Sequence, residues 1–268
     1  MSAWLLHHEA TVRAALFLAT LGLLAFLQRR HSLRGDARRG RRQAVNLGLI
    51  VLGTLLLRAL VPVAAVGWAA WCQQRGVGLL AALPVAETIR VLVAVLLLDL
   101  AIYWQHRLFH VVPALWRLHR VHHSDTGFDV STGVRFHPGE LALSLGIKLA
   151  VIAALGAPPI AVLLFEALLS CGALFTHADL ALPARLDRAL RTLLVTPSMH
   201  RIHHSCRRLE TDSNYGFHLS VWDRLFGSYR ARAIEPEARM CIGLARWREE
   251  QDQGLLALLR QPFERAPR

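Results

Sequence analysis

Lysine is almost missing: Lys148 is the single one among 31 basic side chains, so the formal charge of +12 rests on 30 arginines. Much of that charge stands in runs beside apolar segments, and no basic recognition helix is evident. Such placement argues against a nucleic-acid partner and suits the anionic inner face of a bilayer. The four cysteines, Cys72, Cys171, Cys206 and Cys241, are scattered, with no CxxC pair. They exclude a secreted disulfide scaffold and read as reduced thiols. G-x-S-x-G elbow, P-loop and dinucleotide fingerprint are all absent, as are internal repeats, low-complexity tracts and flexible linkers.

What remains is apolar. At 54% hydrophobic residues over 268 positions, with a positive mean hydropathy, the chain reads as an all-α, multi-span helical membrane protein of about four spans. A first apolar segment covers about residues 14–27, extended by Trp4, Leu5 and Leu6, and without a cleavage site it reads as a retained span. Arg29, Arg30, Arg34, Arg38, Arg39, Arg41 and Arg42 follow against the single acid Asp36, which places that loop in the cytoplasm. A second run, about 44–71, holds one interior charge, Arg58; a third, 89–104, holds one acid, Asp99. The fourth, 141–175, is broken by Gly156-Ala157-Pro158-Pro159, so it is either one kinked span or a hairpin whose arms are each roughly 24 Å long. These boundaries divide the chain into N-terminal spans with an Arg-rich loop (1–88), a catalytic unit (89–231) and a C-terminal cytoplasmic tail (232–268).

Eleven of the fourteen histidines fall between His106 and His218, and eight of those stand in three tight groups. His106 and His110 are four residues apart, which puts both imidazoles on one helix face. His119, His122 and His123 form an HxxHH group, and His200, His203 and His204 repeat that spacing. One histidine on a helix is ordinarily a core or surface residue. Three groups, two with identical spacing, point to metal, and eight imidazoles exceed what one four- to six-coordinate ion can use, so two ions are the natural count. The first group reads HRLFH and lacks the general base of an HExxH peptidase. Ligands of one cluster must share one side of the membrane. With the Arg-rich loop inside, His106 to His123 emerge in the cytoplasm, and the third group joins them only if 141–175 crosses an even number of times, which favours the hairpin.

The ordered HxxxH, HxxHH and HxxHH groups resemble the fatty acid hydroxylase or sterol desaturase superfamily. So do Asp99 to His123, Ser131-Thr132-Gly133-Val134-Arg135-Phe136-His137-Pro138, Asn214-Tyr215-Gly216 and Trp222-Asp223-Arg224-Leu225-Phe226-Gly227. The resemblance covers roughly residues 95–231. It implies a cytoplasmic di-metal centre, taken to be two iron ions (zinc in purified protein being an alternative), that uses O2 and an external electron donor to hydroxylate or desaturate a membrane lipid or cleave an ether lipid. Hydroxylation is the favoured outcome. It also implies His106, His110, His119, His122, His123, His200, His203 and His204 as metal ligands, with His137 and His177 as further ligand positions. Asp99, on one helix stripe with Tyr103, His106 and His110, is expected to accept the outer N–H of a ligand histidine, or else to pair with Arg58. Asp125, Asp179, Asp212 and Asp223 are further candidates to support a ligand histidine in this way, although each taken singly reads more readily as a cap or a surface acid. His218 is expected at the surface, and His7, His8 and His31 at the membrane interface. Arg117, Arg120, Arg201, Arg207 and Arg208 are candidates to receive an acidic donor or a lipid headgroup, or anchors of the cytoplasmic face.

Two other classes stay open on the residues alone. A metal transporter would place ligands at mid-bilayer, whereas these groups follow the apolar runs in Arg-rich sequence. Bis-histidine haem binding would require paired histidines at matched depth, not HxxHH triplets. The setting expected is the inner membrane of a bacterium.

Overall fold

The computed structural model describes residues 2–35, 39–61 and 64–265; Asp36 and Arg38 of the Arg-rich run lie outside them, as does the end of the C-terminal segment. Thirteen α-helices are present among the described residues, and no strand. They are α1 (Ser2–His7), α2 (Glu9–His31), α3 (Arg39–Leu60), α4 (Ala65–Gln74), α5 (Glu87–Val111), α6 (Pro113–His123), α7 (Pro138–Leu155) and α8 (Pro159–Thr176), then the shorter α9 (Ala184–Leu190), α10 (Pro197–His203), α11 (Arg208–Thr211), α12 (Val221–Leu225) and α13 (Leu255–Arg260). Among the described residues, four segments are long and apolar enough to cross a membrane: Glu9–His31, Gly40–Gln74, Pro138–Leu155 and Pro159–Thr176. The second apolar run, read as one segment, contains two helices, α3 and α4.

Proline and glycine set the boundaries. Pro113, Pro138, Pro159 and Pro197 each open a helix, where the missing N–H costs nothing and the fixed φ is already helical. Gly156 closes α7 at φ 63°, with its N–H and that of Ala157 donating to Ala153 and Ile152. A Cβ on Gly156 would stand 2.6 Å from the Val77 carbonyl, so glycine is required there by contact as well as by conformation. α7 and α8 form the hairpin: Lys148 and Glu166, about equally far from the break, form an ion pair at 2.7 Å. The start of α7 and the end of α8 both return to the histidines, through Glu140 and His177.

Polarity is reversed between the two halves. Around the long helices, Leu18, Leu23, Leu55, Leu92 and Leu168 face outward, while Ala69, Ala94, Leu98, Ile152, Val162 and Phe165 pack α4, α5, α7 and α8 together. That is the pattern of helices solvated by lipid. At the other end the interior is charged: Arg120, Arg135 and Arg201 are among the largest fully buried side chains. Arg42 donates to Asp125 at 2.7 Å and also pairs with Asp129, and Arg135 donates to Asn46 at 3.0 Å. Arginines of the Arg-rich run are therefore consumed internally, among the described residues Arg42 here and Arg34 by the carbonyls of Glu237 and Met240, both at 2.6 Å, while the exposed Arg41 pairs with Glu250. The C-terminal segment lies on this cap. Arg120 donates to the carbonyl of Glu264 at 2.8 Å, Arg135 to Gln253 at 2.9 Å, and Ser205 pairs with Ile242 across an antiparallel bridge.

Candidate metal centre

Four elements bring the histidines together. α5 contributes His106 and His110 from successive turns, α6 His119, His122 and His123, and α10 His200 and His203, with His204 as its C-cap. His177 caps α8. α10 starts at Pro197 with the Thr196 hydroxyl accepting from the Met199 N–H, so its two ligand-bearing turns begin from a fixed N-terminus.

The nine rings sort into two groups whose ligand atoms lie within 4.8 Å of one another. One holds His106, His110, His119, His123 and His203; the other holds His122, His177, His200 and His204. All nine side chains are buried. His137, carried as a further ligand position, is in neither group: its Nδ1 accepts from the Gly139 N–H at 3.0 Å, capping α7, and its Nε2 meets the Leu259 carbonyl at 3.3 Å.

Hydrogen bonding fixes which nitrogen points inward. The Nδ1–H of His106 donates to the Tyr215 carbonyl, that of His203 to the Ser213 carbonyl and that of His177 to the Ala173 carbonyl, each at 2.7 Å. His119 donates to the Glu140 carboxylate at 2.7 Å. A neutral imidazole that donates from Nδ1 carries a bare lone pair on Nε2. Those lone pairs converge: His106 Nε2 faces His203 Nε2 at 3.0 Å, and His177 Nε2 faces those of His200, His122 and His204 at 3.0, 3.1 and 3.2 Å. Protonation is a poor remedy for this crowding. Burial, only partly offset by the Ser213 carbonyl, pushes His203 down to about 3, and burial lowers His177 to about 4. Burial and the neighbouring imidazoles also hold His123, His200 and His204 well below the ordinary histidine value. Converging neutral nitrogens, four of them on rings with an acceptor fixed behind, suit each group to hold a metal ion.

The loop after α11 supplies two of those anchors. Asn214, at φ 51°, donates to the carbonyls of Met199 and Arg230 and accepts from the Arg230 N–H at 2.8 Å. Asp223 accepts from the N–H groups of Tyr215 and Gly216 and from the Ser228 hydroxyl, at 2.7, 2.9 and 2.7 Å. The Asn-Tyr-Gly and Trp-Asp-Arg-Leu-Phe-Gly motifs thus form one clasp that presents the Tyr215 carbonyl to His106. Burial raises the Asp223 carboxyl against the pull of these donors.

Several expectations are corrected. Asp99 accepts from His218 Nδ1 at 2.9 Å, Trp222 Nε1 at 2.8 Å and the Leu219 N–H at 3.4 Å; neither a clustered histidine nor Arg58 is its partner. Seven residues put it roughly 10 Å along α5 from His106, beyond side-chain reach. Tyr103 bonds Ser228 at 2.8 Å, inside the clasp, not a clustered histidine. His218 is part-buried between Asp99 and Gly172, not on the surface. Arg120 and Arg201 are buried; Arg201 is taken by Glu237 at 2.5 Å. Arg207 pairs with Glu235 and Arg208 with Asp212, and Arg117 alone of the five is exposed without such a pairing among the described residues. Asp125 binds Arg42, Asn46 and Thr132; Asp179 holds Ser32 and the Arg34 N–H; Asp212 lies 3.7 Å from His110 Nδ1. His7, His8 and His31 lie outside both groups.

Glu140 was missed. Its only signal is an acid in the first turn of an apolar helix, the position where a capping role would also be read.

A family model described as fatty acid hydroxylase matches residues 91–228. The ornithine lipid hydroxylase of Rhizobium tropici is 31% identical over 179 residues, 67% of this chain and 52% of that protein. The alkylglycerol monooxygenase of Homo sapiens is 30% identical over 133 residues (50% of this chain, 29% of that protein) and that of Danio rerio 32% over 134 residues (49% and 28%). The chain spans about half the length of the first of these relatives and under a third of the other two. No solved structure matches.

Proposed function

The chain belongs to the fatty acid hydroxylase family, and from that premise we propose that it is a membrane-bound, non-haem di-iron oxygenase that hydroxylates a lipid using O2 and an external electron donor. The observation that carries this is the sorting of nine buried histidines into two groups, with Nε2 atoms converging at 3.0–3.2 Å. Two iron ions held there would supply the redox capacity to activate dioxygen against an unactivated C–H bond. His106, His110, His119, His123 and His203 would hold one ion and His122, His177, His200 and His204 the other.

The protein's own groups do the rest. Carbonyls of Tyr215, Ser213 and Ala173 and the carboxylate of Glu140 hold the ligand rings in the tautomer that binds metal. The apolar helices hold the acyl chain's solvent beside the cap, so a lipid can enter sideways from the bilayer. Exposed Arg29 and Arg30 at the end of α2 support a cytoplasmic cap by the positive-inside rule, in the inner membrane of a bacterium. In this reading residues 89–231 are the catalytic unit, between N-terminal spans (1–88) and a C-terminal segment (232–268).

Similarity to an ornithine lipid hydroxylase over two thirds of the chain supports hydroxylation of a polar membrane lipid. Similarity to alkylglycerol monooxygenases supports a second reading on the same centre, oxidation beside an ether oxygen. Lipid extracts of cells with and without the gene, grown with oxygen, separate them. A lipid gaining 16 mass units supports hydroxylation, and loss of ether lipid with release of aldehyde supports the second. Unchanged lipids, with His200→Ala indistinguishable from wild type, would refute both.

A further inference from the structure

The two histidine groups are built to the same scale but supported very differently. Behind the five-histidine group stand three fixed acceptors: the Tyr215 carbonyl on His106, the Ser213 carbonyl on His203 and Glu140 on His119. Asp212 lies 3.7 Å from a fourth ring, His110. Behind the four-histidine group, among the described residues, one ring is held in this way, His177, by the Ala173 carbonyl at 2.7 Å with the Thr176 hydroxyl at 3.3 Å. The Nδ1 atoms of His122, His200 and His204 are buried and have no hydrogen-bond partner among the described residues.

Charge follows the same division. Glu140 is 3% exposed, its second oxygen has no hydrogen-bond partner, and no lysine or arginine pairs with it among the described residues. A buried carboxylate without a cation is costly. The Nδ1–H of His119 is its one strong partner, and the charge that would balance it is a cation on the far side of that ring, at His119 Nε2, which is itself buried and unpartnered. Among the described residues no carboxylate bonds a ring of the four-histidine group. Asp125, the acid that acts on His177 electrostatically, is already spent on Arg42, Asn46 and Thr132.

Resting on the di-metal reading above, we propose that the two positions are unequal. The five-histidine position is the high-affinity one, with Glu140 as its positioning residue; the four-histidine position exchanges its ion. Fixed acceptors behind ligand histidines are typically worth 10–100-fold in metal affinity, through ligand basicity and prepaid ring ordering. One position has three such supports and the other has one.

Zinc, which has no redox chemistry, is the probe. The full-length protein, purified in detergent, is stripped, reloaded with Zn2+ and titrated with a chelator, and bound metal is counted after each step. Two steps of one ion each are expected, with dissociation constants at least tenfold apart. In Glu140→Gln the tighter step should weaken by about 10–100-fold while the weaker step stays in place. In His200→Ala the weaker step should vanish and the tighter remain. Release of both ions in one step from wild type would overturn the inequality, even if Glu140→Gln did not fold. An unshifted tighter step in folded Glu140→Gln would overturn the role of Glu140. Wild type that is folded yet holds no zinc would instead overturn the di-metal reading itself, and this inference with it.

Discussion

His106 and His203, brought from α5 and α10, turn their Nε2 atoms toward each other across 3.0 Å while each Nδ1–H is tied to a backbone carbonyl. Neither ring can rotate away without abandoning its carbonyl, so the two lone pairs stay opposed unless a cation sits beside them. Replacing either ring by alanine should therefore remove one metal equivalent and reduce product formation to background, with the helical circular dichroism retained. Metal analysis of the purified variant, alongside the lipid assay, checks both halves.

Metal-free protein should lose stability as pH falls. His203 and His177 sit at about 3 and about 4 when folded, below the unfolded value near 6.5. Between those values the unfolded chain binds more protons than the folded one, so stability rises with pH through this window and is fully present only above about 6.5. Thermal melts of stripped protein should show a falling midpoint from pH 7 to 5. The metal-loaded protein should hold its midpoint better, since bound metal competes with protons for the same nitrogens.

How much of this was legible in the sequence follows from what spacing can encode. Helical periodicity placed His106 with His110 and each HxxHH group on one face, and Gly156 with two prolines marked the hairpin, because these are local properties of a helix. The partition into five and four was not legible. In each HxxHH group the first and last histidines stay together and the middle one, His122 or His203, stands apart, as helix geometry allows, but which partners each side meets depends on how the helices pack. Asp99 is hidden for the same reason: a shared stripe on α5 says nothing of α12 and the loop before it, which bring Trp222 and His218 to that carboxylate. The carbonyls of Tyr215 and Ser213 belong to no side chain, and no residue type announces them.

Asp223 should be a stability residue felt at the metal centre. Its carboxylate takes two backbone N–H groups and one hydroxyl, all buried, and holds the loop whose Tyr215 carbonyl anchors His106. Asp223→Ala leaves those donors unsatisfied at about 1–3 kcal/mol each before relaxation. A clear drop in thermal midpoint and a partial loss of metal are expected, with Asp223→Asn intermediate because it retains one acceptor oxygen.

Arg42 ties α3 to the cap by pairing with both Asp125 and Asp129. Burial pushes Asp125 upward, but Arg42, Arg135, Thr132 and Asn46 outweigh it and hold the carboxyl below its ordinary value. A depressed folded value means that its contribution is present above about pH 4 and is lost in more acid solution. Arg42→Ala removes the guanidinium that pairs with both buried carboxylates, a loss of up to about 3–5 kcal/mol. Low yield of folded protein is expected, improved by Arg42→Lys, as measured by size-exclusion profile and thermal melt.

His137 and His177 supply the sharpest test of the site's composition, because the sequence gives them the same standing and the structure separates them. His177 Nε2 lies within 3.2 Å of three other imidazole nitrogens, whereas His137 caps α7 and reaches Leu259 on the C-terminal segment. His177→Ala should bind one ion in place of two and lose activity. His137→Ala should keep both ions and cost only a cap, about 1 kcal/mol, and His137→Asn, which restores an acceptor to the Gly139 N–H, should recover most of that. Loss of a metal ion from folded His137→Ala would place that ring in the centre and contradict the two-group assignment.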